Sequence, residues 1–295
     1  MIELKKCPSC GSSKFNKHIS CIDHSMSKEV FTIVSCETCE FKFTNPRPDE
    51  RDLGNYYKSE NYISHTNNKS GIINKLYQIV RKYSIKTKLQ LLKKGKEKKK
   101  ILDIGAGTGE FLSACKKKGF ETKGIEPSQK AKQKAEENFE LDITEKTSLG
   151  EFKTDEFDNI TMWHALEHIS DLNQTLKELN RILKPEGQLI IAVPNHNSFD
   201  AGVYKEYWAA WDLPIHLWHF SKESLEVIAN KHKLKLIKQK AMIFDSFYVS
   251  LLSEKYKTGK NNFFKSIIIG LFSNINGILT KEGHSSTIYI FETIK

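Results

Sequence analysis

The stretch Ile101-Leu-Asp-Ile-Gly-Ala-Gly-Thr-Gly-Glu-Phe-Leu112 decides how this chain of 295 residues folds. Its first half is apolar at Ile101, Leu102 and Ile104, as in a central strand of a parallel sheet that is covered on both faces. Three glycines follow at alternate positions, where the backbone turns tightly and can approach a ligand that any Cβ atom would displace. The stretch therefore predicts a buried strand, a glycine turn and the first turn of a helix.

The three glycines, Gly105, Gly107 and Gly109, suggest first a dinucleotide site, whose fingerprint requires a small residue three positions after the second glycine. Glu110 stands at that position instead. Its carboxylate, in the first helical turn, would repel a pyrophosphate bound at the helix N-terminus. It would not repel a ligand that carries a positive charge and no phosphate, so the turn predicts a nucleoside ligand of that kind.

This stretch resembles the first motif of class I S-adenosylmethionine-dependent methyltransferases, in which an acidic residue precedes three alternating glycines. The resemblance places Asp103 near the cationic methionyl end of the cofactor. Further along, Gly124-Ile-Glu-Pro-Ser128 closes a second predicted strand, and Glu126 stands where a carboxylate can accept hydrogen bonds from both ribose hydroxyls. We therefore expect S-adenosylmethionine as the cofactor, bound by Asp103, the glycine turn and Glu126.

A second stretch makes the resemblance more specific. Phe157–Met162 predicts the fourth strand, and Trp163-His-Ala-Leu-Glu-His-Ile-Ser-Asp171 follows it directly. Together with Leu183-Lys-Pro-Glu-Gly187, this segment resembles the ubiquinone-biosynthesis O-methyltransferase type and its small-molecule relatives, over about residues 99–240. The resemblance implies an α/β fold, a Rossmann-like sheet of seven strands with helices on both faces.

The histidine at the end of the fourth strand has two interpretations. His164-Ala-Leu-Glu-His168 matches the H-x-x-E-H motif of inverted zinc peptidases, but that motif needs one continuous helix and here a strand ends directly before it. Ligands bind at the carboxyl ends of strands in open α/β sheets, so His164 is instead a candidate to contact the methionyl group or act as a base. Trp163, directly before it, is a candidate cofactor contact.

Two further pairs of residues are candidates for the site. His216 and His219 lie in the aromatic stretch after the fifth strand, which the resemblance assigns to the acceptor pocket. Either can serve as general base, because histidine titrates near neutral pH; a structural role for His216 is the alternative. Tyr57 and Tyr62 precede the first core strand, where they would form a lid over the cofactor or pack against the core.

The N-terminal segment predicts a metal site. Cys7-Pro-Ser-Cys10 and Cys36-Glu-Thr-Cys39 are two C-x-x-C pairs, and each can form a knuckle that offers two thiolates. Four cysteines complete a tetrahedral zinc site, which is structural because protein ligands fill every position. Disulfides or free thiols are the alternative.

The patterns divide the chain into three parts. We expect a zinc ribbon over residues 1–48, a helical lid and linker over 49–98, and a class I methyltransferase domain over 99–295. That domain carries insertions at about 196–220 and 244–281. The second insertion would cover the pocket, form a dimer face or rest on a membrane surface.

Composition limits the possible partners and the compartment. The net charge of +10 permits an acidic partner such as RNA or a nucleotide-linked substrate, although the lysines of residues 93–100 are interpreted as a solvated helix end. We expect no membrane span, because no apolar run reaches roughly 18 residues. Cysteines paired for metal indicate a reducing cytoplasm. The sequence does not determine the oligomeric state.

The resemblance leaves three functions open. The first is methylation of a small molecule, and a sugar or polysaccharide precursor is plausible because some sugar C-methyltransferases of this family carry an N-terminal zinc module. The second is RNA methylation, since some rRNA methyltransferases combine a zinc module with the same core. The third is a non-catalytic module that binds S-adenosylmethionine and uses the ribbon for protein contacts.

Overall fold

The computed structural model describes residues 1–57, 72–93, 95, 98–145, 149–280 and 283–294. The strands are β1 Phe15–Ile22, β2 Val30–Cys36, β3 Lys42–Thr44, β4 Lys100–Ile104, β5 Glu121–Ile125, β6 Ile143–Thr144, β7 Phe157–Trp163, β8 Leu183–Pro194, β9 Trp218–His219, β10 Leu234–Ala241 and β11 Ser286–Thr293. The helices are α1 Glu50–Leu53, α2 Ile72–Leu89, α3 Glu110–Lys117, α4 Gln129–Phe139, α5 Leu172–Ile182, α6 Phe199–Tyr204, α7 Lys222–Lys231, α8 Asp245–Thr258 and α9 Phe263–Leu279.

The larger sheet has seven strands in the order β10-β11-β8-β7-β4-β5-β6. Strand β4 lies inside it and pairs in parallel with β5 and β7, while β11 runs antiparallel between β8 and β10. This confirms the expected α/β class and the seven-stranded sheet. Strand β6 at the edge of this sheet is short, since only Ile143–Thr144 pairs, in parallel with β5.

Alternate residues of the central strands point to opposite faces of this sheet, as the period of two requires. Leu102 of β4 and Ile191 of β8 belong to one apolar cluster, whereas Ile101 and Ile190 belong to the other. Helices α5 and α7 contribute to the first cluster, and α3 and α4 contribute to the second. Both faces of the sheet are therefore covered by helices.

The ribbon sheet is completed by a strand from far along the chain. Strands β1, β2 and β3 pair antiparallel, and β3 then pairs with β9 through Lys42–His219 and Phe43–Trp218. Phe41 and Phe43 are fully buried in the same cluster as α5 and α7. The boundaries at 48 and 98 stay predictions, and the structure adds that the ribbon and the larger sheet share one apolar core.

The segment between β10 and β11 folds as the two helices α8 and α9, which pack against each other. Helix α2, Ile72–Leu89, lies within residues 49–98, the range in which the sequence predicts a helical lid and linker. Among the residues that the structure describes, no helix combines the length and the apolar character needed to cross a bilayer.

Because the ribbon and the larger sheet share one apolar core, we expect them to unfold together in one transition. We expect Phe43→Ala to lower the free energy of unfolding by roughly 3–5 kcal/mol, because it leaves a cavity at a fully buried aromatic site. Urea unfolding followed by circular dichroism should show one transition at lower denaturant. Val30→Ala, at an exposed position of β2, is the control and should cost less than about 1 kcal/mol. Separate unfolding of the ribbon ahead of an unaffected core would contradict this expectation.

Candidate active site

The glycine turn joins the end of β4 to the end of β5. The N–H groups of Gly105 and Ala106 donate to the carbonyl of Ile125 at 2.8 and 3.0 Å. Gly105, Gly107 and Gly109 have φ angles of 77°, 55° and 81°, in the left-handed region that only glycine adopts without cost.

The three glycines differ in what a side chain would meet. A Cβ at Gly109 would lie 2.6 Å from Leu141, and one at Gly105 would lie 2.9 Å from Ala165. A Cβ at Gly107 would meet no described atom within 4 Å. Gly105 and Gly109 are thus needed for packing, and Gly107 leaves its backbone open to a ligand.

Asp103 is buried at the carboxyl end of β4. Burial raises the pKa of its carboxyl to about 7, although a 2.6 Å hydrogen bond from Thr161 Oγ1 and the charge of Lys88 oppose the shift. The Lys88 ammonium, from the last turn of α2, lies 4.3 Å from the centre of the Trp163 ring. The Lys88 ammonium thus interacts with both Asp103 and Trp163. A positively charged ligand would be attracted to the same two side chains.

Glu126 is fixed in place by the backbone around it. Its Oε2 accepts from the N–H of Gly107 at 2.7 Å, and its Oε1 accepts from the N–H of Ser128 at 2.8 Å. Burial raises the pKa of this carboxyl, and the two backbone hydrogen bonds oppose the shift. An ionised carboxylate has about four acceptor sites, so two are left for other donors.

His164 is held between two carboxylates. Its Nε2 lies 3.0 Å from Asp245 of α8, and its Nδ1 lies 3.4 Å from Glu167. Burial lowers the pKa of His164, but the two carboxylates outweigh that effect and raise it to about 10. A histidine with this pKa is cationic at neutral pH, which favours a charge-balancing role over that of a base. Its φ of 54° places it in the left-handed region, as residues at functional sites often are.

The neighbouring histidines are neutral. Burial lowers the pKa of His168 to about 4 and also lowers the pKa of His216. The Nδ1 of His216 faces the carbonyl of Ala210 at 2.9 Å, and a carbonyl only accepts, so this nitrogen carries the proton. The Nε2 of His216 is therefore a lone-pair acceptor. The rings of His168 and His216 are 4.6 Å apart, next to the fully buried Glu167.

Two of the remaining predicted site residues, His219 and Tyr57, lie near His168 and His216. His219 is buried, and its Nε2 lies 3.1 Å from the Thr44 hydroxyl at the ribbon junction. It lines the same cleft as His216, at the carboxyl end of β8. The Tyr57 hydroxyl lies 2.8 Å from His168 Nδ1, on the histidine side of the site. Tyr62 lies outside the described residues.

The four ribbon cysteines converge as their spacing predicts. The Sγ atoms of Cys7, Cys10, Cys36 and Cys39 lie within 4.8 Å of one another, and all four thiols are free. The Cys7–Cys39 and Cys10–Cys36 sulfur distances are 3.6 and 3.5 Å. A tetrahedral zinc ion with bonds of about 2.3 Å needs sulfurs about 3.8 Å apart. The arrangement therefore fits zinc.

Sequence reasoning missed four residues of the site. Asp245 and Lys88 reach it from helices whose sequence carries no motif, and Thr161 reads as an ordinary strand residue. Glu167 stands inside the His164–His168 motif without a role that the sequence assigns to it, and both of its oxygens are buried without a hydrogen bond of normal geometry among the described residues. No local pattern marks these four residues as members of one site.

A profile of a methyltransferase domain family matches residues 77–239, more than half of the chain. Demethylmenaquinone methyltransferase of Thermotoga maritima is 31% identical over 120 residues, which cover 38% of this chain and 52% of that protein. Ubiquinone biosynthesis O-methyltransferase of Pelagibacter ubique is 35% identical over 159 residues, which cover 50% and 65%. The chain thus spans between half and two thirds of the length of these curated relatives.

A solved structure extends the likeness of the fold. Phosphoethanolamine N-methyltransferase 2 of Haemonchus contortus, in complex with phosphomonomethylethanolamine and S-adenosylhomocysteine, superposes with a TM-score of 0.56. The match covers 95% of this chain and 68% of that one, at 16% sequence identity. At this identity the comparison shows a shared fold.

The position of Glu126 allows a test of whether its carboxylate binds the ribose of S-adenosylmethionine. We expect Glu126→Ala to weaken S-adenosylmethionine binding about tenfold to a hundredfold, the worth of a hydrogen bond or two to a charged group. Isothermal titration calorimetry measures the affinity directly. Glu121→Gln, at the opposite end of the same strand, is the control and should bind as the unmodified protein does. An affinity left unchanged by Glu126→Ala would remove the ribose assignment.

Proposed function

The chain belongs to the methyltransferase-domain family of S-adenosylmethionine-dependent enzymes, and from this premise we propose that it methylates a small molecule whose acceptor atom must lose a proton. The observation that supports this proposal is that the two halves of the carboxyl edge of the larger sheet carry different ionisable groups. Acidic groups lie at the ends of β4 and β5, and the neutral, buried His168, His216 and His219 lie beyond β7 and β8, past the cationic His164. The first half suits a cationic cofactor, and the second half suits proton removal.

At the cofactor end, this chain's residues would bind and orient. S-adenosylmethionine, when bound, supplies an electrophilic methyl group on a sulfonium. Asp103 would face its cationic methionyl end, beside Trp163, and Glu126 would accept from the ribose hydroxyls. Lys88 already provides a cation beside Asp103, so binding of a second cation would require the Lys88 side chain to move aside.

At the acceptor end, His216 is the proposed general base. Its Nε2 carries a lone pair, and its Nδ1 hydrogen bond to Ala210 fixes the ring. Removing the proton from a hydroxyl or an acidic C–H group leaves the acceptor atom electron-rich for an in-line displacement. Asp212, whose Oδ2 lies 4.0 Å from Nε2, and Glu167 would stabilise the imidazolium that forms.

The names of the curated relatives bear on the identity of the acceptor. The relative from Pelagibacter ubique is named as an O-methyltransferase of ubiquinone biosynthesis, which favours a hydroxyl group as the acceptor. The sugar precursor is the second candidate, supported by the ribbon in front of the core. The structure offers less support for RNA, because Lys93, Lys99 and Lys100 form ion pairs with Glu292, Asp158 and Glu121 on the protein itself.

A labelled-methyl transfer screen tests the proposal. Purified protein is given methyl-labelled S-adenosylmethionine with hydroxylated quinone precursors, nucleotide sugars or total RNA in separate reactions. We expect label in a small-molecule fraction, with a rate that rises with pH through a pKa below 6.5, because burial lowers the pKa of His216 and only the neutral form accepts a proton. Label in RNA alone, with a rate that falls steeply with salt, would contradict the proposal.

The matched variant in this screen is His216→Asn. It should lower kcat about hundredfold or more while cofactor affinity stays within about twofold, since a base contributes to proton transfer and not to cofactor binding. His232→Asn, beyond the opposite edge of the sheet, should keep full activity. Full activity of His216→Asn would reduce His216 to a structural residue.

We further propose that the ribbon holds one structural zinc ion through Cys7, Cys10, Cys36 and Cys39. The converging thiols support this, and four protein ligands leave no position for catalysis. Since the ribbon shares its core with the larger sheet, the metal would stabilise the whole chain.

Metal analysis of the purified protein should find about one zinc ion per chain. Cys36→Ser should lose most of the metal and lower the thermal midpoint, because a ligand is removed from a site that the fold depends on. Cys21→Ala, a buried cysteine outside the cluster, should retain the metal. Protein that folds and melts normally without zinc would contradict the proposal.

A further inference from the structure

Helix α9 presents its apolar side to solvent. Its large side chains on one half of the circumference are exposed, from 37% at Ile268 to 77% at Phe264. They are Phe263, Phe264, Ile267, Ile268, Leu271, Phe272, Ile275, Ile278 and Leu279. We call this set the α9 apolar face. A surface helix of a globular protein has the opposite arrangement, with its polar half outward.

The inward side of α9 carries mostly polar and small residues, which hydrogen-bond to the protein or pack against it, with Ile269 as the one buried apolar side chain among the described residues of the helix. The Ser273 hydroxyl donates to the buried Asp200 at 2.6 Å, and the Asn274 amide donates to the carbonyl of Ile243 at 2.8 Å. At Gly270 a Cβ would lie 2.6 Å from Phe247, so α8 and α9 approach closely there. These contacts fix the orientation of the helix, and it cannot turn its apolar half inward without breaking them.

The charge along the helix and in the segment that leads into it has one sign. From Lys255 to Thr280 the sequence has four lysines and no acidic residue. Lys255, Lys257 and Lys260 are exposed and lead directly into the helix. The fourth, Lys265, lies 2.9 Å from Glu254, which is buried, so it balances the nearest acidic group.

We propose that the α9 apolar face docks on an anionic lipid surface, with the helix lying in the plane of the headgroups. Aromatic and aliphatic side chains would enter the acyl boundary, and the lysines before the helix would contact anionic headgroups. Phe199 of α6 lies 6.3 Å from Phe272 and extends the surface toward the segment that carries His216. The docked face would thus adjoin the acceptor side of the site.

Lipid fits this face better than a second copy of the chain. Protein interfaces pair an apolar centre with a polar rim and about one hydrogen bond per 100–200 Å². The nine side chains of the α9 apolar face offer no hydrogen-bonding group, so nothing on this face fixes a register with a partner helix. Its flanking lysines would repel their own copies in a parallel pair of helices, whereas an anionic surface attracts them in any docked orientation.

Vesicle flotation tests the proposal with the full chain. We expect binding to vesicles of phosphatidylcholine with phosphatidylglycerol, weaker binding to phosphatidylcholine alone, and loss of the difference at high salt. The combined variant Phe264→Ser, Ile267→Ser and Leu271→Ser should lower the partition coefficient about hundredfold or more, because it removes apolar contacts with the acyl region. Its thermal midpoint should stay unchanged, since these side chains are exposed.

Two further variants separate the contributions. Val30→Ser, Val227→Ser and Ile237→Ser in combination remove exposed apolar groups elsewhere and should leave vesicle binding intact. Lys255→Gln, Lys257→Gln and Lys260→Gln in combination should abolish the preference for phosphatidylglycerol, about a hundredfold effect at about fivefold per lysine.

Several results would overturn the proposal. One is a chain that does not float with the anionic vesicles. Another is the triple serine variant floating as well as the unmodified chain. The third, by light scattering without vesicles, is a dimer that the serine variant dissociates while neither protein floats, which would assign the face to a second copy.

Discussion

The arrangement of the site depends on a buried negative charge, that of Glu167, which has no hydrogen bond of normal geometry among the described residues. An unpaired buried ion costs on the order of several kcal/mol, so this carboxylate is tolerated only beside a cation. His164 supplies it, in a left-handed backbone conformation, and Asp245 of α8 holds the other side of its ring. The same loop binds the rest of the molecule through its backbone: the Glu167 carbonyl accepts from the N–H of Leu217, and the Ser170 carbonyl accepts from the Arg47 guanidinium. The ribbon, the acceptor segment and α8 thus converge on one charge-balanced loop.

Charge is distributed unevenly along the carboxyl edge of the larger sheet. On the β4 and β5 side the groups are ionisable acids with nearby cations, Asp103 with Lys88 and Glu110 with Arg81. On the β7 and β8 side His168 and His216 are neutral because burial disfavours their charged form, while the two carboxylates beside His164 keep that histidine cationic. Such a division lets one edge bind a cation and, a few residues away, keep a proton acceptor free. Two halves with the same burial and the same neighbouring charges would shift the pKa values of their groups in the same way. They could then not provide both a cation-binding site and a free proton acceptor.

The parts that could be predicted from sequence are those encoded by neighbouring residues. The strand and turn at Ile101–Leu112, the paired cysteines and the fourth strand each carry their signal within about a dozen positions, because strand burial and knuckle geometry are local requirements. The ion pair of His164 with Asp245 and the pairing of β3 with β9 join residues that are far apart in the chain, and no local pattern marks either. The orientation of α9 was also beyond prediction: its composition gave an apolar helix, but only the hydrogen bonds of Ser273 and Asn274 show which half faces the protein.

The pairing of β3 with β9 has a consequence for how the molecule is made. Lys42 pairs with His219, so translation must add the whole of the intervening chain before that strand finds its neighbour. At ordinary rates of synthesis this interval is on the order of ten seconds. During it, the outer edge of β3 has backbone groups that no neighbouring strand pairs. The ribbon sheet therefore stays incomplete until most of the larger domain has been synthesised.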